Sequence, residues 1–169
     1  GGSTAQAGNE AGKNENGKDG DSGKPVVYKE LYSGEVATLN YLVSSSDADI
    51  RTAAYCIDTL IEYDSSGQIR PGQATEWEYD EASKTWTFHL REAKWVDNTG
   101  APVADVTAQD YVDAIKYQLT PEYESGIVQN LFGVIANAKA YYNGLVYNGG
   151  ADDDGVVWNA IDFSEVGVK

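Results

Sequence analysis

The chain has 169 residues, 41% of them hydrophobic, with a formal charge of −15 and an isoelectric point near 4.2. That length supports one domain with a core, while the acidity opposes binding to nucleic-acid phosphates or to anionic lipid headgroups. A single cysteine, Cys56, and a single histidine, His89, exclude an internal disulfide and a structural zinc site, so no cofactor is expected and only oxygen-ligand cations stay open.

Residues 1–24 hold seven of the 18 glycines, no aromatic residue and no apolar side chain larger than alanine. They cannot offset the entropy of ordering and read as a flexible tether. Their three lysines against four acidic residues give a net of −1, which leaves −14 for residues 25–169. No methionine occurs, so the start at Gly1 is expected to come from processing or cloning. No apolar run approaches the roughly 18 residues that span a bilayer.

Val26, Tyr28, Leu31 and Tyr32 predict a short strand ahead of Ser33-Gly34. Ile50, Ala53, Ala54, Ile57, Leu60 and Ile61 recur at helical spacing, with Ser46 and Asp49 in the pattern of a capping box, and predict a helix of about three turns. The segment YDSSGQIRP (63–71) is a surface connection. TEWEYD and KTWTFHLR, separated by Glu81-Ala82-Ser83, predict a β-hairpin, since Trp86, Phe88 and Leu90 alternate with Thr85, Thr87, His89 and Arg91 as in a half-buried strand. Asp97-Asn98-Thr99-Gly100 is a loop. A helix follows over 108–119, with Thr107 and Asp110 at its start and Pro121 beyond its end. Residues 127–142 predict a third helix, Gly149–Gly155 an acidic loop, and FSEVGVK the beginning of a strand cut short, as in a piece of a longer protein.

No constellation for catalysis emerges. His89 has neither a nucleophile elbow nor a partner histidine nearby and reads as a solvent-facing strand residue. Asp152-Asp153-Asp154-Gly155 lacks the alternating ligands and closing glutamate of a calcium loop and reads as a solvated loop. No carboxylate pair stands out by spacing among the 27 acidic residues. Cys56, beside the apolar face of the first helix, reads as a packed thiol. Trp77 and Trp86 read as cross-strand core partners. On spacing alone, Ser44-Ser45-Ser46-Asp47 reads as helix capping.

Several stretches together resemble the N-terminal region of solute-binding protein family 5, the extracellular oligopeptide- and dipeptide-binding components of ABC importers. They are ATLNYLVSSSDADIR (37–51), then Pro71-Gly72-x-Ala74-x-x-Trp77, Trp86-Thr87-Phe88-His89-Leu90-Arg91 and Val106-Thr107-Ala108-x-Asp110, in this order and spacing. The similarity covers about Gly34 to Lys169. Tyr41 departs from the usual proline, Thr59 from the common glycine, and Asp97–Pro102 is longer than the family's turn.

The resemblance implies the N-terminal portion only of a mixed α/β, periplasmic-binding-protein-like type II fold. Residues 25–57 would start the first lobe and 58–169 would form most of a smaller accessory domain. It implies a non-enzymatic substrate-binding component that captures oligopeptides and passes them to the membrane permease subunits of an ABC importer. It reverses the capping reading of Ser44, Ser45, Ser46 and Asp47, which match the segment that touches the peptide, and adds Tyr123, near a position where the family presents an aromatic ring. The tether looks like that of a Gram-positive-type lipoprotein held on the extracellular face of the cell membrane by a lipid on a cysteine just before Gly1. The alternative is a cell-surface interaction or structural module without a transport role.

Overall fold

The computed structural model describes Lys29, Leu31 and residues 34–169. The tether expected over 1–24 and the strand expected from Pro25 to Tyr32 lie outside the described residues, Lys29 and Leu31 apart. Residues Tyr32–Lys169 form one compact unit.

Helix α1 spans Asp47–Ala53 and is followed by three antiparallel hairpins, β1 (Ile61–Tyr63) with β2 (Ile69–Pro71), β3 (Ala74–Asp80) with β4 (Thr85–Leu90), and β5 (Lys94–Val96) with β6 (Pro102–Asp105). Helix α2 (Ala108–Gln118), a 3-10 turn at Pro121–Tyr123, helices α3 (Gln129–Phe132) and α4 (Ala138–Tyr147) and a 3-10 turn at Phe163–Glu165 complete the order.

α1 is shorter than its periodicity predicts. The chain leaves it through a turn at Ala54–Cys56, and the carbonyls of Thr59 and Leu60 then accept hydrogen bonds from Gln73 and from Gly72 and Ala74. Ile57, Leu60 and Ile61 fit a helical face, and the Ile57 N–H still bonds the Ala53 carbonyl, but Leu60 and Ile61 are committed to the strands beside them, a tertiary override of local pattern. Gly72 permits that approach, because a Cβ there would collide with the Thr59 carbonyl oxygen. Cys56 consequently sits in the turn and is exposed rather than packed.

One device closes all three hairpins: an aspartate at the turn entrance accepts backbone N–H groups two to four residues on. Asp64 accepts from Ser66 and Gln68, Asp80 from Ala82, and Asp97 from Thr99 and Ala101, at 2.8–3.1 Å. Hydrogen bonds hold each carboxyl below its usual range, chiefly that from the Gln68 N–H for Asp64, from the Ser83 hydroxyl for Asp80 and from the Thr99 hydroxyl for Asp97. Lys84, Gly67 and Gly100 take the left-handed positions of these turns.

In the central hairpin Trp77 faces Phe88 and Tyr79 faces Trp86, so one face is aromatic while Glu76, Glu78 and His89 lie on the other. The alternation is as predicted, yet Trp86 is 56% exposed and its cross-strand neighbour is Tyr79, at 4.9 Å between ring centroids, rather than Trp77. The two tryptophans therefore do not form a core pair. His89 lies half exposed, 3.8 Å from the Glu78 carboxylate.

The core lies among the helices. Leu119, Val128, Ala138, Tyr141 and Val166 are buried together, with Ile115, Leu131, Phe132, Ile161 and Phe163 packed around them. α2 starts as predicted, the Thr107 N–H donating to Asp110 at 2.7 Å. The single helix expected over 127–142 is instead two, because Asn137 adopts φ 60° and uses its side-chain amide to reach the Glu165 carbonyl at 2.7 Å. Residues 163–169 form no strand. Asp162 caps a 3-10 turn by accepting from Ser164, Val166 enters the core, and the Gly167 N–H donates to Ala136 at 2.9 Å. Among the described residues no helix is long and apolar enough to cross a membrane.

Candidate functional site

Asp49 organises the segment that precedes α1. It is only 2% exposed, and it accepts from the Ser44 hydroxyl (2.7 Å) and from the backbone N–H of Ala37 (2.8 Å) and Thr38 (3.4 Å). The Ser44 hydrogen bond first, then those backbone donors, hold its carboxyl below the ordinary range against the opposing effect of desolvation. The capping box expected between Ser46 and Asp49 is therefore not made. Ser46 has an extended backbone but no side-chain cap bond, and its own N–H donates to Ser44 Oγ at 3.1 Å.

A second clamp comes from a distant part of the sequence. The Ser125 hydroxyl donates to the Leu42 carbonyl and the Gly126 N–H to the Val43 carbonyl, each at 2.9 Å. Asn40 donates from its amide to the Tyr117 hydroxyl at 3.2 Å. The bend at Tyr41–Val43 closes with the Ser44 N–H on the Asn40 carbonyl. Fastened at both ends, the chain presents Ser45, Ser46 and Asp47 to solvent while Ser44 points inward. Among the described residues the Ser45 backbone N–H and carbonyl have no hydrogen-bond partner.

Tyr123 lies two residues before Ser125 and so shares this surface. Its ring, 41% exposed, stacks on Tyr117 with centroids 3.9 Å apart and planes 9° from parallel. Glu124 beside it takes φ 49°, which turns the chain sharply from the aromatic ring to the Ser125–Gly126 clamp. The structure thus brings all five sequence-selected residues to one region, with Ser44 as a structural anchor and the other four accessible. Sequence reasoning missed Asp49, Asn40, Ser125 and Gly126. The Ser125-Gly126 pair carried a turn signal but nothing in its spacing tied it to residues 42 and 43.

An open groove of about 290 Å³ borders the segment, lined by Tyr41, Leu42, Trp95, Asp110, Asp113, Ala114 and Tyr117. Burial pushes the Tyr41 and Tyr111 hydroxyls above their usual value. The acidic loop holds itself together elsewhere. Asp152 accepts from the Trp158 indole (2.8 Å) and from the N–H groups of Val156 (2.9 Å) and Asp154 (3.1 Å), so its carboxylate is committed to its own turn.

The profile of the family described as bacterial extracellular solute-binding proteins, family 5 Middle, matches residues 68–160. The chain is 36% identical over 149 residues to the oligopeptide-binding protein SarA of Streptococcus gordonii, covering 88% of this chain and 20% of that protein. It is 30% identical over 153 residues to the oligopeptide-binding protein AmiA of Streptococcus pneumoniae, covering 90% and 21%. The chain therefore spans about a fifth of the length of these curated relatives. Among solved structures, a periplasmic oligopeptide-binding protein of Borrelia burgdorferi superposes with a TM-score of 0.59 at 25% identity, over 80% of this chain and 23% of that one. OppA of Haemophilus influenzae, in complex with RPPGFSPFR, superposes with a TM-score of 0.53 at 30% identity, over 64% and 20%. The mixed α/β arrangement of hairpins and helices is thus that of part of an oligopeptide-binding-protein fold.

Proposed function

Because the chain belongs to the bacterial extracellular solute-binding proteins of family 5, we propose that it is one part of a protein that captures extracellular oligopeptides for an ABC importer. In this reading Ser45, Ser46, Asp47 and Tyr123 contact the peptide, and Ser44 holds the contact segment in place. The observation that carries it is the doubly clamped segment, which leaves the Ser45 backbone unpartnered among the described residues and is tied through Asn40 and Tyr117 to the exposed Tyr123 ring. An extended peptide binds through main-chain hydrogen bonds, so a fixed backbone with the Ser45 N–H and C=O left open suits ligands of many sequences. The protein performs no chemistry on the ligand.

Residues 25–57 begin the first lobe of the whole protein and 58–169 form most of its smaller domain, behind the tether of residues 1–24. Permease subunits of the importer receive the ligand, and a lipid on a cysteine preceding Gly1 holds the protein at the outer face of the cell membrane. Mass spectrometry of the native protein without an N-terminal lipid would remove that anchor.

The deciding experiment is calorimetric titration of this chain, and of the protein extended to its natural stop codon, with a mixed oligopeptide library. Saturable binding by the extended protein is expected, with the 169-residue chain weaker than about 1 mM, or less than about 4 kcal/mol of binding free energy. Submicromolar binding by the chain alone would contradict a site shared with missing residues. Silence from both proteins would reject peptide capture and leave a non-peptide ligand, such as a nickel chelate or an oligosaccharide, or a surface-interaction module.

A further inference from the structure

The groove beside the clamped segment is separate from the residues argued to read peptide backbone, and its chemistry is selective. Tyr41, Trp95 and Tyr117 supply aromatic surface, and Asp110 and Asp113 supply two carboxylates three residues apart on α2. No lysine, arginine or histidine lines it. We propose that this groove is a subsite for a lysine or arginine side chain of the bound oligopeptide; the proposal rests on the peptide-binding reading and adds to it a preference for basic peptides.

The two carboxylates play different parts. Asp110 is tied down by the Thr107 N–H (2.7 Å) and hydroxyl (3.1 Å), a fixed negative charge at the helix start. Asp113 spends only Oδ1, on the Gln109 amide at 2.8 Å, while its Oδ2 has no hydrogen-bond partner among the described residues. The cations of the surrounding elements are engaged elsewhere. Lys94 pairs with Asp105, Arg91 with Asp58 at 2.7 Å, and Lys116 lies 5.3 Å over the Phe163 ring. An incoming ammonium or guanidinium group would therefore meet an unneutralised pair of charges beside aromatic side chains. An apolar side chain would desolvate Asp113 without compensation, and an anionic one would be repelled.

Position links the groove to the peptide path. Tyr41 and Leu42 belong to the clamped segment itself, and Leu42 is three residues from Ser45, at most about 11 Å of extended chain. Tyr117 carries both the Tyr123 ring and the Asn40 amide.

The test is an NMR titration of the isotope-labelled protein, extended to its natural stop codon, with three alanine heptapeptides whose central residue is lysine, norleucine or glutamate. The Trp95 indole resonance is assigned by Trp95→Phe. The lysine peptide is expected to shift that resonance and to bind about tenfold tighter than the norleucine peptide, as an exposed ion pair joined to a cation–π contact would give. The glutamate peptide should be weakest, and added salt at about 1 M should cut the lysine preference to about twofold. Asp113→Asn, at an exposed helix position, should abolish the preference with the fold intact by circular dichroism.

If lysine and norleucine peptides bind alike, moving Ser45, Ser46 and Tyr123 but not Trp95, the subsite is refuted and peptide binding stands. If the lysine peptide moves Trp95 alone, the groove takes cations off the peptide path and the proposal fails as stated. If no peptide moves any of these resonances, the subsite and the peptide reading fall together.

Discussion

Truncating Leu119 to alanine tests whether the helical cluster is the cooperative core that carries the candidate site. Leu119 is 0% exposed, at the end of α2 and two residues before the Pro121–Tyr123 turn. At about 0.8 kcal/mol for each of roughly three lost carbons, the transfer contribution is about 2.4 kcal/mol. A rigid surround of Tyr141, Val128 and Val166 adds a cavity cost, so a total of about 3–4 kcal/mol is expected within the usual range for such substitutions. Against a native stability of about 5–15 kcal/mol this is a large share. Urea unfolding followed by tryptophan fluorescence should show a lower midpoint at unchanged slope. Val134→Ala, at a position 77% exposed, is the control and should stay within about 0.5 kcal/mol of the parent. A loss below about 1 kcal/mol for Leu119→Ala would refute the placement of the core.

Three further outcomes follow from the same geometry. The Asp49 carboxyl is held below its ordinary value of 3.8 in the folded chain, so its contribution is fully present above the unfolded value and is lost as pH falls through the lower, folded one. Amide resonances of Ala37, Thr38 and Ser44 should therefore stay constant from neutral pH to about pH 5 and move together at lower pH, and Asp49→Asn should remove that step. Gly144→Ala should destabilise by about 1–3 kcal/mol despite better helix propensity, because the new Cβ would sit 2.5 Å from the Asn159 carbonyl oxygen and packing strain exceeds the gain of about 1 kcal/mol; thermal unfolding measures the sign. Cys56, exposed in the turn after α1, should react fully with a thiol reagent in the native state; protection until unfolding would place it back on a packed face.

Local features were legible in the sequence and distant ones were not. Alternation through Trp86, Phe88 and Leu90 located the central hairpin, and Thr107 with Asp110 located the start of α2, because side-chain period and capping act over a few residues. Helical spacing overran α1, since Ile57, Leu60 and Ile61 satisfy a helix pattern while Gly72–Ala74 claims the backbone of Thr59 and Leu60. The same limit governs the site. Ser44–Asp47 could be selected by its composition and family resemblance, but the bonds that fix its shape come from Ser125 and Gly126, about eighty residues away, and from an Asp49 whose spacing to Ser46 suggested a different partner.

Six of the 27 acidic residues serve how the chain turns. Asp64, Asp80, Asp97, Asp152 and Asp162 each accept backbone N–H groups within their own loops, and Asp49 does so for the segment that precedes α1. A carboxylate held this way is ionised, oriented and already occupied, which is the opposite of what a general acid or base requires. Chemistry needs a group poised to exchange a proton, whereas recognition of varied peptides needs backbone fixed in place and left open. These aspartates make rigid loops, and in the proposed reading the accessible surface at Ser45–Asp47 and Tyr123 is left for contact. Asp113, with one carboxylate oxygen unspent beside three aromatic rings, departs from that pattern, and for that reason it is the place to look for ligand selectivity.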